Sequence, residues 1–318
     1  MERQQDPEIT LAWRDQRAVV APLGASLRRY YRLREGGGEV DVAWGYQGRE
    51  GKRGGQGDVL IPFPGRVKGG RYAFKGVEHQ MPINDKEGPN AIHGFLRELP
   101  WDSEQPNDAE ARFHFAMDAK AYEKVGYPFS LDVALRYALR DEGLVTEFRV
   151  RNTGDGPAPV GVGFHPYFVV GTDSVDEMSL TLPADRYLEF DKGMMPTGEL
   201  LPLKGSPVDF GRPKAIGKTR INHCFADLIA DADGLIRVRM EAPSSGRKVT
   251  VWMDANFPYL VVYTGDAIEQ PYARRALAVE PMTCATDAFN HPDWGLVRLL
   301  PGQEFRGRWG VQSDEVKR

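Results

Sequence analysis

The 318-residue sequence has little cysteine, no surplus of basic residues and no long uninterrupted apolar run. Cys224 and Cys284 form no CxxC pair and have no zinc-type spacing with histidine, so we expect two reduced thiols and no metal site. A net charge of −4 argues against nucleic acid or anionic lipid as a partner. Glycine, histidine and proline interrupt the apolar segment 160–170, so we expect no membrane span. The charged N-terminus lacks a secretion-signal pattern, which predicts a cytoplasmic protein.

Several common catalytic motifs are also missing. The sequence contains no GxSxG, HExxH or GxGxxG motif and no P-loop, so serine hydrolases, zinc proteases, dinucleotide-binding enzymes and kinases lose their usual support. Turn-forming residues, in contrast, are abundant: 35 glycines and 23 prolines make up about 18% of the chain, more than average usage. Long helices are therefore not expected to dominate the fold.

Alternation of apolar and polar residues is the commonest pattern in the chain. It predicts a half-buried strand over residues 131–139. Residues 236–241 and 249–253 alternate in the same way around a Pro-Ser-Ser-Gly turn, which predicts a β-hairpin. Further short elements are expected as strands at 145–151, 178–182 and 260–263 and as a helical turn at 119–125. Many strands and no interdomain linker predict one all-β domain over residues 1–318, a large antiparallel β-sandwich.

Three ionisable residues stand out among apolar neighbours. His165 lies in an apolar segment that ends in His-Pro-Tyr-Phe, where a buried ring is either fully hydrogen-bonded or functional. His93 precedes Gly94, and glycine permits close approach of a ligand. Glu280 follows an Ala-Leu-Ala-Val run, where burial would raise its pKa toward that of a useful base. The alternative for Glu280 is a buried structural glutamate paired with an arginine.

Four segments in this order resemble the aldose 1-epimerase (mutarotase) family. They are Ile-Pro-Phe-Pro-Gly-Arg-Val-Lys-Gly-Gly-Arg-Tyr at 61–72, Asn-Ala-Ile-His-Gly at 90–94, His-Pro-Tyr-Phe at 165–168 and Glu-Pro-Met-Thr at 280–283. Two further similar pieces are Asn-His-Cys-Phe at 222–225 and Val-Tyr-Thr-Gly at 262–265. The resemblance extends from about residue 21 to residue 309. It implies a large antiparallel β-sandwich, in agreement with the strand pattern.

The resemblance also implies an activity and roles for individual residues. The family interconverts the α and β anomers of an aldohexose or close derivative by opening the pyranose ring, which needs an acid and a base but no metal or redox cofactor. By matching position, Glu280 is the expected general base, His165 the general acid and His93 an assisting group in catalysis. The expected sugar-binding residues are Arg66, Asn222 and Tyr263.

One position departs from the family pattern. Many members carry an aspartate where this chain has Asn222, whose amide can donate and accept hydrogen bonds but has no charge. Together with the basic residues Arg66, Lys68 and Arg71, this makes an acidic hexose derivative conceivable, although surface solvation explains Lys68 and Arg71 at least as well. The two cysteines follow Asn222 and Glu280 closely in sequence and could approach each other near the cleft.

Two other functions remain open from the sequence. One is a non-catalytic carbohydrate-binding or regulatory β-sandwich, against which the presence of both Glu280 and His165 argues. The other is a glycoside-processing enzyme that uses Glu280 and Asp266 as paired carboxylates. The identity of the sugar and the oligomeric state have no readable signal.

Overall fold

The computed structural model describes residues 7–315 of the chain. The first six and last three residues of the expected 1–318 domain, with the start of the charged N-terminal segment, lie outside the described residues. Strands make up 48% of the chain and helices 6%, which confirms the all-β prediction. That the whole chain forms a single domain stays a prediction.

Residues 7–168 contribute sixteen strands. They are β1 (Ile9–Trp13), β2 (Gln16–Ala21), β3 (Ser26–Leu33), β4 (Glu39–Ala43), β5 (Asp58–Leu60), β6 (Arg66–Val67), β7 (Arg71–Phe74), β8 (Val77–Gln80), β9 (Ala91–Ile92), β10 (Asp102–Asn107), β11 (Glu110–Met117), β12 (Leu131–Arg140), β13 (Gly143–Asn152), β14 (Ala158–Val160), β15 (Gly163–His165) and β16 (Tyr167–Phe168). Residues 169–315 contribute β17 (Ser179–Thr181), β18 (Ala184–Phe190), β19 (Pro196–Pro202), β20 (Lys214–Ala215), β21 (Asn222–Leu228), β22 (Ile236–Ala242), β23 (Arg247–Met253), β24 (Tyr259–Tyr263), β25 (Leu277–Met282), β26 (Val297–Leu299) and β27 (Glu304–Glu315).

Among the described residues, helical structure is limited to short turns. The α-helical turn α1 (Ala119–Tyr122) continues into a 3-10 turn at Glu123–Val125, which confirms the helical turn expected there. The other 3-10 turns are Arg49–Gly51, Lys68–Gly70, Leu96–Glu98 and Val175–Glu177. Within residues 7–315, no helix has the length and apolar character needed to cross a lipid bilayer.

Two large antiparallel sheets form the body of the protein. The first contains twelve strands, ten of them in the order β1-β2-β3-β4-β16-β25-β24-β21-β18-β19, with β15 pairing to both β25 and β5. The second has the order β10-β11-β12-β13-β27-β23-β22-β17-β20. Three two-stranded pairs, β14-β26, β6-β9 and β7-β8, complete the strand set. Both large sheets combine strands from distant parts of the sequence.

The main hydrophobic core contains residues from both large sheets, such as Val20 and Val262 from the first and Val133 and Val251 from the second. Strand β12 alternates buried and half-buried residues, as its sequence pattern predicts. The predicted hairpin is confirmed, because Ile236–Ala242 pairs in antiparallel register with Arg247–Met253.

Candidate active site

Strands of the first sheet line part of a cavity of about 750 Å³. This size is typical of small-molecule sites. Strands β15, β25, β24 and β21 lie side by side in this sheet. Loops that precede β5 and follow β8 and β24 form other parts of the wall. All six site residues expected from the sequence line this cavity: Arg66, His93, His165, Asn222, Tyr263 and Glu280. The fold thus brings together residues that lie more than 200 positions apart.

Strand register places His165 opposite Glu280. Gly163 and Tyr167 flank His165 and pair with Met282 and Ala278, the residues two positions on either side of Glu280. Because side chains alternate between faces along a strand, His165 and Glu280 project from the same face of the sheet. His165 Nε2 lies 3.4 Å from Glu280 Oε1.

Both groups are almost completely removed from solvent, with 6% of His165 and 2% of Glu280 exposed. Burial raises the pKa of Glu280 well above its usual value, and the nearby Arg66 charge offsets part of this rise. Burial also lowers the pKa of His165. Glu280 Oε2 and His165 Nδ1 are buried without a hydrogen-bond partner among the described residues. A ligand hydroxyl could satisfy these atoms.

His93 forms a second imidazole wall beside His165. The two ring centroids are 5.4 Å apart and the planes meet at 84°. His93 has a left-handed backbone, with φ of 64°, and its N–H donates to the Gly65 carbonyl at 2.9 Å. A non-glycine residue in this region is uncommon and strained, and such strain concentrates at functional sites. Burial and neighbouring positive charges lower the pKa of His93, so its ring is neutral at physiological pH.

Arg66 is held at the cavity wall by two carboxylates. Its Nε donates to Asp85 at 2.7 Å and its Nη2 donates to Glu87 at 2.8 Å. These bonds fix the planar guanidinium, and no hydrogen bond among the described residues uses Nη1. Asp85 and Glu87 were not found by sequence reasoning, because both lie in a polar loop that reads as solvent-exposed.

Asn222 and Tyr263 lie on neighbouring strands and pair directly across β21 and β24. Tyr263 accepts a hydrogen bond from the Ala267 N–H at 2.7 Å, which ties the loop after β24 to the cavity wall. The Asn222 side chain makes no hydrogen bond with the described residues. Two residues after Asn222 on β21, Cys224 pairs with Val261 on β24. Val261 in turn pairs with Glu280 on β25. Asn222 and Glu280 therefore share one face of the sheet.

A cluster of two cations around one carboxylate also lines the cavity. Asp58 is fully buried and forms ion pairs with Lys52 and with Arg97, whose Nη1 lies 3.4 Å from Asp58 Oδ2. Asp58 is the register partner of His165 on the strand pair β5-β15. The sequence offered one weak signal for this cluster, an aspartate at the start of a Val-Leu-Ile run.

Other candidates from the sequence lie elsewhere. Asp266 is not among the residues that line the cavity, and it pairs with Arg274 at 2.8 Å, so the structure does not place a second carboxylate of this kind beside Glu280. Lys68 and Arg71 are exposed and also do not line the cavity. Cys224 and Cys284 are free, buried thiols, and burial raises the pKa of both. Within residues 7–315, no three His, Cys, Asp or Glu side chains are arranged to hold a metal ion.

Comparison with known proteins agrees with this architecture. The family model described as "Aldose 1-epimerase" matches residues 7–312. The uncharacterized protein YihR of Escherichia coli (strain K12) is 34% identical over 235 residues, which cover 74% of this chain and 71% of YihR. Galactose mutarotase of Sus scrofa is 27% identical over 267 residues, 78% of this chain and 76% of that enzyme.

Solved structures of other proteins share this fold. The crystal structure of the GalM/aldose epimerase homologue from C. elegans superposes with a TM-score of 0.86 at 20% sequence identity, covering 98% of this chain and 100% of that one. This likeness establishes a galactose mutarotase-like fold. The family-model match extends over nearly the entire chain. The chain therefore belongs to the aldose 1-epimerase family.

Proposed function

We propose that this protein catalyses exchange between the α and β anomers of a hexopyranose by acid–base ring opening. The observation that carries the proposal is the buried pair Glu280 and His165, whose side chains meet at 3.4 Å in a cavity large enough for a sugar. The two oxygens that exchange protons in this reaction, the anomeric hydroxyl and the ring oxygen, are bonded to one carbon. A base and an acid that are adjacent in space can therefore serve both.

The reaction conserves all atoms and needs no oxidant. Glu280 removes the proton from the anomeric hydroxyl, the carbonyl forms, and the bond from carbon 1 to the ring oxygen breaks. His165 gives its proton to the departing ring oxygen. Rotation about the bond from carbon 1 to carbon 2 turns the other face of the aldehyde toward the new hydroxyl. Ring closure with the reversed proton transfers then gives the opposite anomer.

The shifted pKa values suit a pair that holds one proton. Burial disfavours negative charge on Glu280 and positive charge on His165, so the single proton of the pair resides on Glu280 when no ligand is bound. Sugar hydroxyls that donate to Glu280 Oε2 favour the carboxylate form, and the proton then resides on His165. We assign Arg66, His93, Asn222 and Tyr263 to holding the sugar hydroxyls around this pair.

Polarimetry on freshly dissolved α-glucose and α-galactose tests the proposal. The protein should accelerate the change in rotation without altering its end point. His165→Asn should lower the rate by about 10²-fold or more, the usual scale for loss of a positioned acid. The matched control is His114→Asn on the exposed face of β11, which should keep the wild-type rate.

Two outcomes would contradict the proposal. Sugar binding without any acceleration would indicate a non-catalytic carbohydrate-binding protein. A His165→Asn variant with full activity and a lower melting temperature would make His165 structural.

A further inference from the structure

The cluster of Lys52, Asp58 and Arg97 carries more positive than negative charge. One carboxylate faces two cations, so the cluster has at least one positive charge in excess. Burial raises the pKa of Asp58 in spite of both cations, and protonation of Asp58 would only increase the excess. The Lys52 and Arg97 side chains keep 20% and 19% of their surface exposed, and both line the cavity.

The Arg97 guanidinium has more hydrogen-bond donors than it uses with the described residues. Its single side-chain hydrogen bond among the described residues, to Asp58, measures 3.4 Å, longer than the 2.7–2.9 Å usual for such charged pairs. Guanidinium groups match the oxygens of carboxylate, phosphate and sulfonate groups with several parallel donors. Other acids that line the cavity are already paired: Glu98 with Arg49 and Glu269 with Arg53. Asp85 and Glu87 share Arg66.

Strand register places this cluster in line with the proposed catalytic pair. Glu280, His165 and Asp58 occupy neighbouring positions on β25, β15 and β5, on one face of the sheet. In the proposed reaction Glu280 serves the anomeric oxygen and His165 the ring oxygen. The next atoms of a hexopyranose beyond the ring oxygen are carbon 5 and its substituent, carbon 6. Carbon 6 is therefore the part of the sugar that extends toward Lys52 and Arg97.

Resting on the proposed function, we infer that the substrate is a hexopyranose with an anionic group at carbon 6, held by Lys52 and Arg97. The shared chemistry is a carboxylate, phosphate or sulfonate on that carbon. A neutral hexose leaves the positive charge of this wall without a counter-charge, which weakens its binding relative to the anionic sugar.

The first experiment compares sugars with the wild-type protein. Anomer-exchange NMR measures the rate above the spontaneous rate for glucose, glucuronate, glucose 6-phosphate and a 6-sulfonated glucose. We expect at least one of the three anions to exceed glucose in kcat/KM by about tenfold or more, on the scale of one charged hydrogen bond. The ranking among them identifies the acid. Glucose exchanged as well as or better than all three anions would overturn the inference while leaving the proposed function intact.

The second experiment tests the cluster itself. Lys52→Gln should lower kcat/KM for the preferred anion by about tenfold or more and change that for glucose by less than about threefold. Lys52→Arg should restore the preference. The matched control is Arg49→Gln, because Arg49 lies on the same rim but pairs with Glu98 and both side chains are more than half exposed. Equal losses on anionic and neutral sugars in Lys52→Gln would overturn the inference.

Binding of methyl glycosides separates this inference from the proposed function. A methyl glycoside cannot open its ring, so calorimetry with methyl glucoside and methyl glucuronide measures recognition without catalysis. If no sugar shows accelerated anomer exchange, the proposed function fails. Tighter binding of methyl glucuronide, lost in Lys52→Gln, would still support the anion site. Equal binding of the two glycosides, together with no exchange of the phosphorylated or sulfonated sugar, would overturn it.

Discussion

Tyr167 lies almost flat against His165, with ring centroids 5.2 Å apart and planes inclined by 20°. The Tyr167 hydroxyl donates a 2.8 Å hydrogen bond to the Gly54 carbonyl. The next residue, Gly55, has a left-handed φ of 77°, and a Cβ there would lie 3.1 Å from His165 Cδ2. The His165 ring is therefore held between an aromatic side chain and a turn that glycine allows to come close.

This arrangement predicts that Tyr167 positions the proposed acid. Tyr167→Leu removes the aromatic ring that stacks on His165, so kcat should fall by about tenfold. KM should change little, because Tyr167 is not assigned to sugar binding. Tyr167→Phe keeps the stack and loses one hydrogen bond, so the unfolding free energy should drop by about 1 kcal/mol with kcat within about twofold. Equal kcat for the Leu and Phe variants would show that the stack has only a structural role.

Glu280→Gln should abolish acceleration of anomer exchange while sugar binding stays within about tenfold, because the amide keeps the shape but cannot accept the proton. The same variant should be more stable than wild type at neutral pH. Since the folded-state pKa of Glu280 is raised, the wild-type protein loses stability as pH rises above the unfolded value near 4.5.

Thermal melts across pH check this second effect. The variant lacks the titration, so its advantage should grow as pH rises above about 4.5 and disappear below that value. A constant difference between the two melting curves from pH 4 to pH 8 would contradict the raised pKa. Retention of the wild-type exchange rate would contradict the assignment of Glu280 as the base.

The regular part of the fold follows from local sequence patterns. Period-2 alternation is sufficient to identify the half-buried strand at Leu131–Arg140 and the hairpin of β22 and β23. Local patterns do not specify which distant strands become neighbours. β21 and β24, for example, are adjacent although a complete hairpin of the second sheet separates them in sequence. Such pairing depends on long-range burial of both faces, which alternation within one segment does not encode.

Some residues of the candidate site are likewise identifiable from the local sequence, and others are not. Glu280 and His165 are detectable because an ionisable group inside an apolar segment is unusual. Lys52 and Arg97 resemble ordinary surface cations in sequence, and only their approach to the buried Asp58 distinguishes them. Lys68, considered from sequence as a basic group near the cleft, is exposed and does not line the cavity.

Arg66 should influence both sugar affinity and the pH profile. Its charge lowers the pKa of Glu280, so Arg66→Gln should move the acid limb of the rate profile to higher pH. Loss of the fixed guanidinium should also raise KM, by about tenfold. Arg66→Lys keeps the charge and should retain the acid limb while still raising KM. The pH dependence of kcat/KM for the three proteins measures both effects, and an unshifted acid limb in Arg66→Gln would show that this charge does not reach Glu280.

A substitution at Asn222 gives the complementary test, because Asn222→Asp adds a negative charge to the cavity, whereas Arg66→Gln removes a positive one. Asn222→Asp places a carboxylate on the same sheet face as Glu280, with the Tyr263 strand between them. Like charges raise each other's pKa, so the acid limb should move to higher pH, in the same direction as in Arg66→Gln. The added negative charge should also lower activity on acidic sugars by about threefold or more relative to glucose. Asn222→Ala, which removes the amide without adding charge, should leave the acid limb in place. Identical pH profiles and identical ratios of acidic to neutral sugar for Asn222→Asp and wild type would show that residue 222 affects neither Glu280 nor the charge of the cavity.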